Sequence, residues 1–458
     1  MRAVRKRWSK WTRGYGDSYY ASFGEPIHHE KPWTILPPQP RFRFYNGARN
    51  YGLVLSDFLS GRIFAGDAVE RTERRIAEWL DVAEVILTPQ GRYAIYLGLR
   101  QIIQPGQRVI LSPYTLYDVV NMVLAAGGIP CFADIDEDTC NISALEVERL
   151  IGPETGAVMV THLHGLVGSL DRINAICERR GVPLVEDACQ AFGARHGGRR
   201  AGTIGTMGFF SFGRAKNVNA FLGGMIATND HAKAARIRRN LARLPYEDGA
   251  RLLKRIAHCG LGQVLTSPVV FPALTYWIFR HGVLNNVDTV TRQFNTEINP
   301  IVRTAIPESY ERRISQLQAR LILDQLERVD TYARERIKLA LLYHQGLSDI
   351  PGIRLPPLRD DLSHIYLSFA IQAPDRADLQ RYLMQNGRDV VIQHLRNTAD
   401  LECFAQYHRD CPAARRTARS VLLLPCYPGY RAAEARKNVE VIRRFFRSSN
   451  WPSYTSNT

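Results

Sequence analysis

Short apolar runs alternate with longer amphipathic segments from about residue 70 to residue 190. Runs of this length, bounded by turn residues, are typical of buried strands, and the segments between them have the length of helices. Such alternation indicates a largely parallel sheet covered by helices on both faces. The predicted strands are 85–87, 108–111, 129–133, 157–161 and 183–186, and the predicted helices are 92–103, 117–126, 143–151 and 170–179.

The pattern changes after residue 313. Two predicted helices are followed by strands and helices in mixed order, which is typical of an α+β domain. The expected fold class is therefore α/β, with a mostly parallel sheet sandwiched by helices and a smaller α+β C-terminal domain. The predicted helices here are 317–327, 332–347, 376–386 and 432–446, and the predicted strands are 366–371, 389–392 and 421–424.

Composition narrows the class of protein. The chain has 458 residues, of which 45% are apolar, as in an ordinary globular protein. Its eight cysteines are scattered without a C-x-x-C pair, which favours reduced thiols over disulfides or zinc. The basic N-terminus lacks a following apolar region, and no stretch reaches the ~18 to 20 apolar residues of a spanning helix. We therefore expect a cytoplasmic protein without a metal.

The net charge of +16 is unevenly distributed. One basic cluster falls within the first fourteen residues and a second falls between residues 233 and 255. Such clusters attract nucleic acid, anionic lipid or phosphorylated substrates, although most basic runs are solvated faces. No helix-turn-helix, zinc finger or RNA-recognition signature is present, so a nucleic-acid partner is not expected.

Candidate chemistry lies at the ends of two apolar runs. Ser211 and Lys216 follow the run 207–210 and precede the pair Gly223-Gly224, while Asp187 ends the run 183–186. A lone lysine is usually a solvated surface residue, and a lone aspartate after a strand is usually a cap or turn former. Together, in this order, an amine, an acid and a hydroxyl are what pyridoxal 5′-phosphate (PLP) requires.

These motifs resemble those of the DegT/DnrJ-type sugar aminotransferases, which are PLP enzymes of the aspartate aminotransferase fold (fold type I). The pattern F-S-F-x-x-x-K is met by residues 210–216, followed by the glycine pair 223–224 and by Thr-Asn-Asp at 228–230. The acid motif V-E-D-A-x-Q is met within residues 185–194, and 161–165 resemble the V-H-x-x-G element. The resemblance spans about residues 87–230 and resumes near 313.

The resemblance implies roles for individual residues. Lys216 would hold PLP as a Schiff base and carry protons, and Asp187 would keep the pyridine nitrogen protonated. Gln190 would contact the phenolic oxygen of the cofactor and Ser211 its phosphate. His162 falls beyond the carboxyl end of a predicted strand, where ligands of such sheets bind.

Other predicted cofactor contacts depart from the family pattern. The family binds the phosphate through backbone N–H groups of a turn that reads S-G-T-A-A. Gly91 keeps the glycine of that turn, whereas the small hydroxyl residue is absent and Arg92 and Tyr93 follow the glycine. Arg92 either pairs with the phosphate or faces solvent. Leu116 stands where the family places an aromatic ring over the pyridine, so Leu116 packs there or a neighbouring tyrosine, Tyr114 or Tyr117, replaces it.

The contact from the partner subunit departs from the pattern as well. Glu311 occupies the position of an asparagine that the family sends from one subunit to the phosphate of the other, and a glutamate would be repelled there. Arg312 or Arg313 is the candidate replacement, unless the preceding insertion shifts this loop.

The domain organisation follows from these comparisons of pattern. We expect a basic and aromatic N-terminal arm at 1–60, a PLP-binding large domain at 61–230, an insertion atypical of the family at 231–312, and a connecting helix with the small domain at 313–458. Segment 261–279 is uncharged and is broken by Pro268 and Pro272. It either packs as core against its own domain or the partner subunit, or lies on an anionic membrane surface.

The expected function is an aminotransferase of amino-sugar, glycan or secondary-metabolite biosynthesis. It would transfer an amino group from glutamate or glutamine to a keto sugar, expected to be nucleotide-linked, and would act as a homodimer. Two alternatives stay open: another PLP reaction on the same scaffold, or a regulatory or binding protein without catalysis. Lys216 argues against the deoxygenating branch of the family, which has histidine at that position.

Overall fold

The computed structural model describes residues 38–44, 46–287 and 299–448. Its strands are β1 (Glu84–Thr88), β2 (Arg108–Leu111), β3 (Tyr114–Thr115), β4 (Ile129–Phe132), β5 (Ile135–Asp136), β6 (Asn141–Ile142), β7 (Thr155–Thr161), β8 (Leu184–Asp187), β9 (Arg195–His196), β10 (Arg199–Arg200), β11 (Met207–Ser211), β12 (Gly224–Thr228), β13 (Phe369–Gln372), β14 (Val391–Ile392), β15 (Arg396–Asn397) and β16 (Val421–Leu424). Its helices are α1 (Ala48–Leu59), α2 (Ala68–Leu80), α3 (Gly91–Leu99), α4 (Tyr117–Ala125), α5 (Ala144–Leu150), α6 (Leu170–Arg180), α7 (His231–Ala242), α8 (Gly249–Leu265), α9 (Tyr276–Leu284), α10 (Gln316–Leu326), α11 (Val329–Leu347), α12 (Arg376–Gln385), α13 (Pro412–Ser420) and α14 (Ala432–Ser448).

The large domain is built on a seven-stranded sheet in the order β1-β12-β11-β8-β7-β2-β4. Strand β12 runs antiparallel to both neighbours, and every other pairing in the sheet is parallel. Successive residues of β1 enter different cores: Val85 and Leu87 join one buried cluster and Ile86 joins the other. Burial on both faces explains why the strands are continuous apolar runs, and the predicted α/β class is confirmed.

The small domain packs helices α11 and α14 against an antiparallel sheet in the order β13-β16-β14. The short strand β15 leaves this sheet and pairs with β3 of the large domain, matching Asn397 with Tyr114. This pairing holds the segment between β14 and β15 close to the carboxyl ends of the large sheet.

Helix α1 lies within the segment that the sequence analysis treats as an arm. It packs against α10, where the Asn50 amide donates to Asp324 (2.9 Å) and Arg320 donates to Asp57 (2.7 Å). The apolar residue Val54 of α1 is buried in the large-domain core. The first 37 residues of that segment lie outside the described residues.

The segment between α7 and residue 287 is helical. Helix α8 is followed by a bend, a π-helical turn at Phe271–Thr275 and helix α9. No helix in the described part of the chain combines the length and apolarity needed to cross a bilayer. The eight cysteines all lie among the described residues, and none forms a disulfide.

Candidate functional site

The candidate site lies at the carboxyl ends of three neighbouring parallel strands. Asp187 ends β8 and is paired in register with Thr161 at the end of β7 and with Phe209 in β11. Ser211 ends β11, and Lys216 follows five residues later. Because parallel strands bring their carboxyl ends to one edge, residues distant in sequence converge there.

The carboxylate of Asp187 is buried and held from two sides. One oxygen, Oδ1, accepts the backbone N–H of Cys189 at 3.1 Å, and the Thr161 hydroxyl lies 3.5 Å from Oδ2. A carboxylate fixed in this way is oriented to pair with a cation that enters the site.

The amine of Lys216 lies within electrostatic reach of Asp187, Cys189 and Arg92. Burial of the amine lowers the pKa of Lys216 below its usual value; Cys189 and Asp187 oppose this change, whereas Arg92 adds to it. A lowered pKa increases the fraction of neutral amine at physiological pH, which is the form that attacks carbonyls and accepts protons.

The first turn of α3 forms a cradle against β11 and β12. A Cβ atom at Gly91 would lie 2.9 Å from Ser211 Cβ and 3.1 Å from both Cys189 Sγ and the Phe210 carbonyl oxygen. A Cβ atom at Gly224 would lie 2.3 Å from the Gln90 carbonyl carbon. Both glycines therefore permit the helix N-terminus to approach the strand ends, where its N–H groups suit an anion.

Arg92 is partly exposed and is bound by residues of its own chain. Its guanidinium forms an ion pair with Asp118 (2.6 Å between Nη1 and Oδ2) and donates to the hydroxyl of Tyr310 (3.1 Å). Arg303 also approaches Asp118 (3.5 Å), and the amide of Asn121 donates to the Ile301 carbonyl (2.8 Å). The loop before α10 is thus fastened to α4 beside the cradle. Pairing of Arg92 with a phosphate stays a prediction.

The remaining predicted cofactor residues differ in how they face the site. Gln190 accepts the backbone N–H of His164 through Oε1 (3.0 Å). Tyr93 is buried and stacks on Tyr96, with ring centroids 5.8 Å apart, and burial followed by the charge of Glu311 raises its pKa. The side chain of Tyr93 is therefore taken up by packing, and Tyr93 can contact a phosphate only through its backbone N–H in the first turn of α3.

Tyr114 and Leu116 flank the beginning of α4. Tyr114 is buried in β3 and faces Asn397 of β15 in register. Leu116 immediately precedes α4 and is partly buried against the second core cluster. Whether either side chain packs on a pyridine ring stays a prediction.

His162 points away from the predicted cofactor contact, and that prediction requires correction. Its Nε2 lies 2.9 Å from Oε2 of Glu186, and the same oxygen accepts the backbone N–H of Gly202 (2.7 Å). The other oxygen, Oε1, accepts the backbone N–H groups of Ile204 and Gly205 (each 2.7 Å). Because successive side chains of a strand alternate, Glu186 and His162 lie on the sheet face opposite Asp187. His162 is therefore part of a buried hydrogen-bonded pair with Glu186 on the face of the sheet opposite Asp187.

Arg313 also makes a specific contact within its own chain. Its guanidinium lies over the ring of Tyr246, 4.4 Å from the centroid, and its backbone N–H donates to Pro245 (2.8 Å). The proposed contact of Arg313 with a phosphate in the partner subunit stays a prediction.

Sequence reasoning missed His394, which the small domain brings to the site. Burial, followed by the positive charge of Lys216, lowers the pKa of His394 to about 4. The residue lies between β14 and β15, and β15 is the strand that pairs with β3 of the large domain. Its position just after a predicted strand was the available signal, but no local pattern connects it with Lys216.

Comparison with known proteins identifies the family. Residues 52–443 match the model of the DegT/DnrJ/EryC1/StrS aminotransferase family. The chain belongs to this family, whose members are PLP-dependent aminotransferases.

Individual relatives are distant but match over most of their length. A pleiotropic regulatory protein of Geobacillus stearothermophilus is 27% identical over 395 residues, which cover 85% of this chain and 92% of the relative. The dTDP-3-amino-3,4,6-trideoxy-alpha-D-glucose transaminase of Streptomyces venezuelae is 27% identical over 393 residues, covering 84% and 89%. The crystal structure of S. venezuelae DesV in complex with a ketimine intermediate aligns with a TM-score of 0.68 at 24% identity, covering 88% of this chain and 95% of that one.

The residues of the site fit PLP. A helix N-terminus opened by Gly91 and Gly224 suits the phosphate, and the buried carboxylate of Asp187 suits a ring cation. The amine of Lys216, whose pKa burial lowers, suits a carbonyl. Among the described residues, no group of His, Cys, Asp or Glu side chains could hold a metal ion.

Proposed function

We propose that this protein transfers an amino group from glutamate or glutamine to the keto group of a nucleotide-linked sugar. The observation that carries the proposal is the convergence of Lys216 and Asp187 at the ends of neighbouring strands, beside a helix N-terminus built for an anion. A dTDP-linked amino sugar in the name of the S. venezuelae relative supports the substrate class.

When bound, PLP supplies a carbonyl that condenses with amines and a ring that accepts electrons. Gly91, Arg92 and Tyr93 offer first-turn N–H groups to the phosphate, and Ser211 adds its hydroxyl. Asp187 holds a proton on the pyridine nitrogen, since a nearby carboxylate favours the cationic form. The Oε1 of Gln190 accepts from His164, and its amide NH2 group would donate to the phenolic oxygen.

Lys216 has two tasks in this scheme. Its Nζ would hold the cofactor between turnovers. After release, the free amine would take the proton from the carbon that bears the donor amino group and, as an ammonium, would give that proton back later in the transfer. The lowered pKa of Lys216 favours attack on a carbonyl and acceptance of a proton, because both start from the neutral amine. His394, uncharged at neutral pH, adds no positive charge beside that amine.

The test begins with the purified protein. It should be yellow, and borohydride reduction should fix the cofactor to the peptide that contains Lys216. A panel of dTDP-, UDP- and GDP-linked keto sugars, incubated with nitrogen-labelled glutamate or glutamine, should yield one labelled amino sugar. A protein that binds PLP at Lys216 yet transfers nitrogen from neither donor to any of these sugars would support the regulatory alternative instead.

We also propose that the working unit is a homodimer in the cytoplasm. The support is the position of Arg312 and Arg313 immediately before α10, on the loop that the family extends to a partner subunit. Sedimentation at working concentration should show a dimer, and a fully active monomer would contradict the proposal.

A further inference from the structure

The helical segment 249–284 comprises α8, the π-helical turn and α9, and it carries exposed apolar residues on both helices. On α8 the exposed apolar residues Leu253, Leu261 and Val264 recur with Ala257 at spacings of three or four, so they share one face. Leu274, Trp277 and Ile278 repeat this spacing across the π-helical turn and α9. Leu261 is 58% exposed, Leu274 52% and Trp277 47%.

The opposite face of the segment is firmly packed. Leu252, Ile256 and Cys259 of α8 are buried in the large-domain core. Phe271 and Tyr276 form a separate buried cluster with Met384 of the small domain. The segment is therefore held in place by residues that are buried within its own chain, and packing of 261–279 against a partner subunit stays a prediction.

The indole N–H of Trp277 has its hydrogen-bond acceptor within the segment, so the side chain can enter an apolar environment. Its indole N–H donates to the carbonyl of Pro272 within the segment (3.0 Å), so the ring carries no unsatisfied donor at the surface. Arg280 lies with its guanidinium 5.8 Å from the indole centroid. An aromatic ring beside a cation at the edge of an apolar face is the arrangement found at membrane interfaces.

The segment carries positive charges and no negative one, which favours an anionic partner. No Asp or Glu occurs between residues 249 and 287, whereas Arg251 and Lys254 are exposed beside the apolar face of α8. Neither forms an ion pair with a described residue. A twofold contact between two copies of this face would bring cations to the interface without a carboxylate from the segment, which disfavours self-association through this face.

We propose that the exposed face of segment 249–284 binds an anionic lipid surface. Leu261, Val264, Leu274 and Trp277 enter the boundary between headgroups and acyl chains, and Arg251 and Lys254 contact the anionic headgroups. Because the segment lies outside the candidate site, attachment leaves the chemistry of the site unchanged and places it next to the bilayer.

The experiment measures binding of the full chain to vesicles by flotation. The vesicles contain phosphatidylcholine alone or with roughly a third of phosphatidylglycerol, at low and high salt. Leu261→Gln with Leu274→Gln removes apolar contact, and Leu145→Gln with Leu358→Gln is the matched control, since these leucines are 62% and 47% exposed elsewhere on the surface.

A second pair of variants tests the charges. One double variant carries Arg251→Gln and Lys254→Gln. Its control carries Arg74→Gln and Arg75→Gln, which change the net charge by the same amount at exposed residues of α2. We expect the protein to bind only anionic vesicles. Leu261→Gln with Leu274→Gln should weaken binding on the order of tenfold, and each cation removed at Arg251 and Lys254 should weaken it about fivefold or more. The two control variants should bind as the original protein does. Added salt should weaken binding.

Three outcomes would overturn the proposal. The first is no binding to anionic vesicles at low salt. The second is equal binding by the Leu261→Gln, Leu274→Gln variant, which would assign the interaction to another basic surface such as the N-terminal residues. The third is dissociation of an oligomer by the same variant in sedimentation, which would make this face a contact between copies of the chain.

Discussion

Gly91→Ala is the most direct test of the cradle at the first turn of α3. The added methyl group would lie 2.9 Å from Ser211 Cβ and 3.1 Å from Cys189 Sγ, closer than carbon atoms normally approach. Overpacking of this kind costs about 1–3 kcal/mol. The higher helix propensity of alanine returns up to about 1 kcal/mol, so the free energy of unfolding should fall by roughly 0–3 kcal/mol.

The larger effect should appear in cofactor affinity. Relief of the contact with Ser211 requires the helix N-terminus and the end of β11 to separate, and both are proposed phosphate ligands. A hydrogen bond to a charged group contributes about 1.5–3 kcal/mol. Loss of one such bond predicts that PLP binds roughly ten- to a hundredfold more weakly.

The control is Gly52→Ala within α1. It gains the same helix propensity, but a methyl group there would meet no atom within 4 Å. Cofactor affinity is measured by titrating the apoprotein with PLP and following the visible absorbance, and stability is measured by urea unfolding of both apo variants. If Gly91→Ala binds PLP as tightly as the original protein does, the cradle is not the phosphate site.

Three further substitutions test Lys216 and Asp187 in the site and Glu186 on the opposite face of the sheet. Lys216→Ala should abolish amino transfer and borohydride fixation of PLP, and near-normal turnover would exclude Lys216 as the catalytic amine. Asp187→Asn should preserve the fold and reduce turnover about a hundredfold or more, because an amide cannot hold a ring nitrogen protonated; unchanged kinetics would place the pyridine partner elsewhere. Glu186→Gln should lower the free energy of unfolding by about 2–5 kcal/mol, because two buried donors lose their acceptor. Burial alone raises the pKa of Glu186, but the hydrogen bonds from His162 and the backbone amides leave it below its usual value. The ionised Glu186 therefore stabilises the fold above the unfolded pKa of about 4.3, and this stabilisation is lost as pH falls through the lower folded pKa. The difference in free energy of unfolding between the original protein and Glu186→Gln, measured in urea, should thus shrink below about pH 4. A difference that does not change with pH would contradict this account.

The fold class and most of the helices and strands could be predicted from the sequence. Strands buried on both faces must be continuous apolar runs, so 108–111 and 421–424 were predicted with the bounds that the structure has. Helix α1 was missed, since its apolar residues are interrupted by polar ones such as Asn50 that bind α10 and become buried only through that contact.

The convergence of Asp187, Ser211 and Lys216 was also within reach of the sequence. Each follows a predicted strand of one parallel sheet, and the carboxyl ends of such strands must meet at one edge. The same rule was misleading for His162, which also follows a strand. Alternation along that strand turns its side chain towards Glu186, on the other face.

Only the tertiary structure decided what distant segments do to the site. The approach of His394 to Lys216 depends on the pairing of β15 with β3, and the ion pair of Arg92 depends on how α3 packs beside α4. The sequence likewise determined that segment 261–279 is uncharged and apolar, but not which of its residues would be covered. Composition fixes the apolar surface that a segment carries, whereas packing against the rest of the chain decides which side of it meets water.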